Sequence, residues 1–395
     1  MSKNIVILLD GTSNSISKDR TNVLRLYGVL KKDNRQLVYY DPGVGTLGAD
    51  GAWSRFLREA YEIWGLATGW GLDRNVKDAY RFIVENYDAG KSSEDGERDQ
   101  IYIFGFSRGA YSARVLAGFI HAVGLMAPRN LNLLDYAYRA YKSVGENEKA
   151  EAFEEVRLYE RILVPDRVPI RMLGLFDTVA SVIESGPSGL RLKSHAFTSR
   201  NTSVESVSHA VALDERRTMF RPQLWPSGQE YWGNPFNSDA AVPQDVEEVW
   251  FAGGHGDVGG GYPEKESQLG KVALVWMIDQ ARSCGLLFST ASINSLVHGK
   301  RKDSKYVAPD PLGQSHNTMT AAWSIVEFIP RRKPRNSRRW SIFGITFPLF
   351  ERRDVPSGAK IHASVRARQA GLGYWPANLP ESVQSDPIEE GCKDL

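Results

Sequence analysis

A serine between two glycines, Gly105-Phe-Ser107-Arg-Gly109, offers the chemistry of acyl transfer. A serine hydroxyl attacks an ester carbonyl when a histidine takes its proton and a carboxylate fixes that histidine's tautomer. The pattern Gly-x-Ser-x-Gly is common, so its context carries the weight. The apolar run Ile101 to Phe104 leads into it and an Ala-rich stretch from Ala110 to Ile120 leads out, which is the strand, tight turn and helix of a nucleophile elbow. Gly105 and Gly109 stand where a Cβ would collide with strand and helix, leaving Ser107 in a strained turn with its hydroxyl exposed. The competing reading is a serine that only caps the helix. With Ser107 as nucleophile, the backbone N–H of Arg108 becomes one oxyanion donor.

The acid and the base should follow later strands. Asp177 ends the apolar run Ile170 to Phe176, at the sheet edge where open α/β folds keep their sites. Of seven histidines, His255 directly follows a strand and sits in a turn with six glycines, Gly253-Gly-His255-Gly-Asp257-Val-Gly-Gly-Gly261. The order Ser107, Asp177, His255 is that of an α/β-hydrolase triad. His362, in Lys-Ile-His362-Ala-Ser-Val, is the rival base, and Asp257 is the acid that would accompany it. A turn after the first strand, Asp10-Gly11-Thr12, offers the second oxyanion donor from Gly11 or Thr12, with Asp10 ordering the turn. Tyr39 to Thr46 forms another Gly-rich turn on the same rim.

Other motifs fall away on inspection. Gly254-x-Gly256-x-x-Gly259 fits a dinucleotide fingerprint, but helical periodicity resumes only near Gln268, so no helix N-terminus is expected to face a pyrophosphate. Gly90-Lys-Ser lacks the preceding P-loop glycine, since Glu85 occupies that place. His255 and Asp257 have no third clustered ligand or helical His-x-x-x-His pair for a metal. Neither a metal nor an organic cofactor is called for.

To position these residues the chain must alternate strand and helix. Apolar runs at Ile5 to Leu9, Leu37 to Tyr40, Ile101 to Phe104, Ile170 to Phe176 and Val249 to Ala252 predict strands. Helical spacing falls at Trp53 to Trp64, Asn75 to Tyr87, Ala110 to His121, Ala150 to Ile162, Ser203 to Asp214 and Gln268 to Ser283. The expected class is an α/β-hydrolase-like fold, a mostly parallel sheet with helices on both faces. The 395 residues carry 49 Lys plus Arg against 47 Asp plus Glu, a formal charge of +2, so no global field favours nucleic acid, and no nucleic-acid motif is present. The 42% hydrophobic and 24% charged composition is that of a folded globular chain. No linker divides residues 1–395, which are taken as one domain. The two cysteines, Cys284 and Cys392, form no disulfide framework.

Several segments together resemble a family of bacterial and fungal proteins that includes the Tle1-type phospholipase effectors of type VI secretion. The resemblance lies in Leu9-Asp10-Gly-Thr12, Pro42-Gly-Val-Gly-Thr46, Gly105 to Ala110, Phe176-Asp-Thr-Val179, His209-Ala-Val-Ala-Leu-Asp-Glu-Arg216, His255 to Tyr262 and Ile361-His-Ala-Ser-Val365. It implies a Ser-Asp-His hydrolase of phospholipid acyl esters. Ser107 matches the nucleophile, while Asp177 and His255 are carried over as acid and base with Asp257 and His362 also in family-like motifs. His209, Asp214, Glu215 and Arg216, on the expected helix, also suit an ion-pair network.

The family's secreted members carry a large membrane-anchoring region, and this length is expected to leave no room for one. In its place stands the stretch 331–353, where Arg and Lys interleave with Trp340, Phe343, Phe347 and Phe350, a composition that can sit on anionic lipid or form a solvated basic loop. The expected substrate is a phospholipid, cleaved as by a phospholipase A. A small-ester esterase and a catalytically silent lipid-binding scaffold are the alternatives. An immunity or secretion partner follows if the chain is an effector. The Ile5 to Leu9 run is shorter than a signal-peptide core, so the chain is expected in the cytoplasm as synthesised, and then resident, exported without a signal peptide or peripheral to a membrane.

Overall fold

Ile5, Ile7 and Leu9 enter one hydrophobic cluster and Val6 and Leu8 another, so both faces of the first strand are buried. That is the condition of a strand inside a parallel sheet, and it explains why these runs are continuously apolar. The computed structural model describes residues 2–11, 19–43, 71–90, 97–146, 150–179, 183–186, 189–192, 195–233, 239, 241–301, 304–320, 323–324, 327–328, 331–332, 345–347 and 349–386.

Among the described residues the sheet has eight strands: β1 (Asn4–Leu9), β2 (Gln36–Asp41), β3 (Gln100–Phe106), β4 (Ile170–Phe176), β5 (Val204–Ala212), β6 (Asp245–Phe251), β7 (Lys360–His362) and β8 (Gln384–Asp386). Their order is β8-β7-β6-β5-β4-β3-β1-β2, and every neighbouring pair is parallel. On one face pack α2 (Leu72–Asn86), α3 (Arg108–Val123), α4 (Leu134–Glu146) and α5 (Ala150–Leu163); on the other pack α1 (Asn22–Val29) and α7 (Gln268–Ser283). The α/β-hydrolase-like class is therefore observed. α2 illustrates the logic: Leu72, Val76, Ala79, Tyr80, Ile83 and Val84 fall on one stripe, and all six are buried.

Two expectations are corrected. Ser203 to Asp214 is not a helix but the central strand β5, paired on both sides by β4 and β6. Val204, Val207 and Val211 are spaced like a helix stripe, but a strand buried on both faces has no polar alternation to betray it. In addition, a short helix, α6 (His255–Gly259), does begin within the Gly-rich turn. The predicted helix Trp53 to Trp64 lies outside the described residues, as do positions 44–46 of the rim turn.

Successive strands end level with one another. Leu9 lies beside Gly105, Phe106 beside Phe176, Phe176 beside Ala210, and Ala212 beside Phe251. From β1 the chain leaves to β2 on one side, while β3 lies on its other side. The carboxyl ends of β1 and β3 thus flank a topological switch point, where such sheets bind ligands.

Candidate active site

Ser107 occupies the single-residue turn between β3 and α3 with φ 58 and ψ −121. Few non-glycine residues adopt that conformation, whose strain persists only where the surroundings enforce it. They do so here. A Cβ on Gly105 would lie 2.4 Å from the Gly109 carbonyl oxygen, and one on Gly109 would lie 2.1 Å from that of Leu9. Glycine at both positions lets strand, turn and helix close to this distance. The Ser107 N–H donates to the Phe176 carbonyl at 3.1 Å, pinning the elbow to the end of β4.

His255, the first residue of α6, reaches Ser107 Oγ with Nε2 at 2.8 Å and Asp177 Oδ2 with Nδ1 at 2.5 Å. Its ring packs against Phe106 at 4.7 Å and edge-on to Phe220 at 4.9 Å between centroids. Asp177 follows β4 with φ 40 and is fully buried. Its Oδ1 accepts the Ala212 N–H at 2.9 Å. Arg353 grips the same carboxylate in a fork, Nη1 to Oδ1 at 2.5 Å and Nη2 to Oδ2 at 2.9 Å. Burial would push this carboxyl up, but the Arg353 guanidinium and the His255 hydrogen bond hold it well below the usual carboxylate range.

The structure thus brings Ser107, Asp177 and His255 into one hydrogen-bonded chain, and places Asp257 and His362 elsewhere. Asp257 Oδ1 meets His316 Nδ1 at 2.7 Å, and its Oδ2 accepts the N–H groups of Gly254 and His316. His362 caps α8 (Ala363–Leu372), with Nδ1 accepting the Ser364 N–H at 3.1 Å and its ring stacked on Phe251 at 4.5 Å. Burial lowers its pKa to about 4, keeping it neutral.

At the end of β1, a Cβ on Gly11 would lie 3.5 Å from Ser107 Cβ, so this turn borders the elbow. Asp10 orders it, accepting the Gly11 N–H at 2.8 Å on Oδ1, and the Thr21 and Tyr40 hydroxyls at 2.5 and 2.9 Å on Oδ2. The Gly11 N–H is therefore engaged, and Thr12 lies outside the described residues. Arg108 opens α3 immediately after Ser107.

Two residues that the sequence reads as part of an ion-pair network on a helix are neighbours of the site. Glu215 accepts the backbone N–H of His255 at 3.2 Å and is itself gripped by Arg217. His209 lies on β5 rather than on a helix; its Nε2 accepts the Thr178 N–H at 3.2 Å and its Nδ1 meets Glu248 at 2.9 Å. Arg353 ends the stretch that the sequence reads as lipid-contacting or as a solvated basic loop, but it is buried and turned inward onto Asp177, 176 positions away in the chain. No local pattern announces such a contact. Residues 333–344 and 348 of that stretch lie outside the described residues.

A parallel eight-stranded sheet with helices on both faces, and a serine elbow at its switch point, is an α/β-hydrolase-like arrangement. Residues 3–280 match the model of the catalytic domain of type VI secretion phospholipase effectors of Tle1-like type. The chain belongs to that family. An uncharacterized protein of Saccharomyces cerevisiae is 34% identical over 240 residues, 55% of this chain and 32% of its own length. An uncharacterized protein from Pseudomonas aeruginosa has a similar crystal structure, with 19% identity and a TM-score of 0.39 over 73% of this chain and 46% of that one. A Tle1 effector bound to the VgrG spike of the type 6 secretion system gives 19% identity and a TM-score of 0.33 over 68% and 52%. The chain spans about a third of the curated relative's length and about half of each solved one. Among the described residues no helix is long and apolar enough to cross a membrane.

Proposed function

We propose that this protein is a serine hydrolase of carboxylic esters, acting on phospholipid acyl chains as a phospholipase A does. The observation that carries the reading is the hydrogen-bonded chain Ser107 to His255 to Asp177 past the carboxyl ends of β3, β6 and β4. In this mechanism His255 takes the Ser107 proton as Oγ attacks the ester carbonyl, then gives it to the leaving alcohol. Asp177 holds the imidazole with Nδ1 protonated. The Arg108 N–H, at the start of α3, stabilises the oxyanion, aided by the positive end of that helix. With Gly11 engaged by Asp10, Thr12 is the donor this reading takes from the β1 turn. Water then releases the fatty acid, and the cycle uses no cofactor.

A lipid rather than a small soluble ester is favoured by apolar side chains near the site. Phe220, which touches His255, also packs on Trp323, and Glu327, which is bonded to Thr218 two residues before Phe220, precedes the half-exposed Phe328 and accepts the N–H of the half-exposed Leu349, with Phe347 half exposed as well. Phe328 also meets Phe350 edge-on. Exposed apolar clusters of this kind mark contact surfaces, and the Arg and Lys of 331–353 other than Arg353 suit an anionic membrane. A secretion or immunity partner belongs to the same proposal, by analogy with the effector bound to its spike protein.

The test is intact-mass analysis after a fluorophosphonate probe, followed by a panel of phospholipids. One adduct on the wild type, absent from Ser107→Ala, together with fatty-acid release from phospholipid vesicles, supports the reading. A well-folded wild type that takes no adduct and releases no fatty acid overturns it in favour of a silent scaffold.

A further inference from the structure

We infer that Arg353 is a positioning residue of the hydrolytic site, clamping the acid Asp177 and setting the proton affinity of the base it orients. The inference rests on the Ser107-His255-Asp177 reading above and adds a fourth member to it.

The geometry is that of a fork on a carboxylate. Arg353 Nη1 donates to Asp177 Oδ1 and to the Ala212 carbonyl at 2.5 and 2.8 Å. Its Nη2 donates to Asp177 Oδ2 and to the Phe220 carbonyl at 2.9 and 2.5 Å. Together with the Ala212 N–H on Oδ1 and His255 Nδ1 on Oδ2, these contacts fix the plane of the carboxylate. Arginine alone offers paired donors in that arrangement. The same guanidinium also holds the backbone of Phe220, whose ring is one wall of the His255 pocket. One side chain therefore fixes both the hydrogen-bond partner of the base and the surface against which its ring rests.

The electrostatic consequence has a definite sign. A triad carboxylate favours the imidazolium that forms when the serine proton is taken, and a guanidinium bound across it offsets much of that attraction at His255. The other charged groups facing the pair are already matched. Glu215, at the His255 backbone, is gripped by Arg217, and His209, behind Thr178, is bonded to Glu248. Asp257, on the same short helix as His255, is occupied by His316. Arg353 is thus the cation whose removal leaves Asp177 uncompensated. It also lies beyond residues 3–280 that match the catalytic-domain family, so it reaches the acid from outside the matched region.

The experiment follows the rate of fluorophosphonate labelling of Ser107 from pH 4 to 9 in wild type, Arg353→Gln and Arg353→Lys, with thermal melts of each. Arg353→Gln is expected to label about 10- to 100-fold more slowly at neutral pH as the base loses its alignment. Its acid limb is expected to move up by about one pH unit, since the bare carboxylate holds the proton on the imidazole. Arg353→Lys keeps the charge without the fork, so its acid limb should stay at the wild-type position while labelling slows about tenfold. A lower melting temperature in Arg353→Gln with an unmoved acid limb and normal labelling of the folded fraction would make Arg353 merely structural and overturn the inference. If Arg353→Gln does not fold, Arg353→Lys decides, and labelling at the wild-type rate in that variant overturns the inference too. Absence of any labelling in a folded wild type overturns the hydrolase reading itself, and this inference with it. Labelling with unchanged pH profiles overturns this inference alone.

Discussion

Glu215 Oε2 accepts the backbone N–H of His255 at 3.2 Å, while both oxygens of the same carboxylate are gripped by Arg217. The carboxylate thus anchors the first turn of α6, where an acidic group is also favoured by the helix N-terminus. Burial would raise its pKa, but Arg217 wins and holds it at about 2. A carboxyl depressed on folding stabilises the fold above its unfolded pKa, and that contribution disappears as the pH falls through the folded one. For Glu215 the window runs from its ordinary 4.5 down to about 2. Glu215→Gln should therefore be less stable than wild type by a few kcal/mol at pH 7, on the order expected for breaking a buried pair. The gap should narrow between pH 5 and 2, as urea unfolding at a series of pH values would show. A gap independent of pH would refute the assignment.

Ser107→Gly should separate strain from chemistry. Glycine adopts φ 58 and ψ −121 without the penalty that serine bears there, so the variant should gain about 1 kcal/mol of stability. It should also lose esterase turnover completely. Ser107→Ala should lose turnover as well, but with a melting temperature close to the wild type, because the strain remains. Loss of folding in Ser107→Ala would instead mark a structural serine.

His255→Ala and His362→Ala should fail differently. The first removes the group on Ser107 and should slow acylation by about a thousandfold or more. The second removes a helix cap and a ring stacked on Phe251, costing about 1 to 2 kcal/mol of stability. Its turnover should stay within about threefold of wild type, since His362 touches no proposed catalytic group. Burst kinetics beside urea melts would distinguish the two, and near-normal acylation in His255→Ala would remove the proposed base.

Much of this site was legible because each strand that carries it stops at a chemically distinct residue. Ser107 and Asp177 directly follow predominantly apolar strands, and the glycines around Ser107 have no other reason to be so spaced. The helix reading of 203–214 failed because β5 is buried on both faces, which erases the two-residue alternation that a half-exposed strand displays. The role of Glu215 was hidden by that same error, for a residue placed on a helix surface is not sought beneath an active-site loop. Arg353 was illegible for a different reason: its partner is set by the fold, and in a run of surface-like basic residues nothing distinguishes the one that turns inward.

The half-exposed Phe347 and Leu349 lie only a few residues before that inward-turned arginine, with Phe328 also half exposed nearby. If they meet lipid, Phe347→Asp and Leu349→Asp should weaken binding to anionic vesicles, each removing an apolar contact worth about 1.5 to 3 kcal/mol when fully buried. Turnover of a short-chain monomeric ester should stay near the wild-type rate, because neither side chain contacts Ser107, Asp177 or His255. Vesicle sedimentation beside a soluble-ester assay checks the separation. Equal loss in both assays would mean that these residues support the fold of the site rather than its approach to a membrane, and a small-ester esterase would then be the better reading.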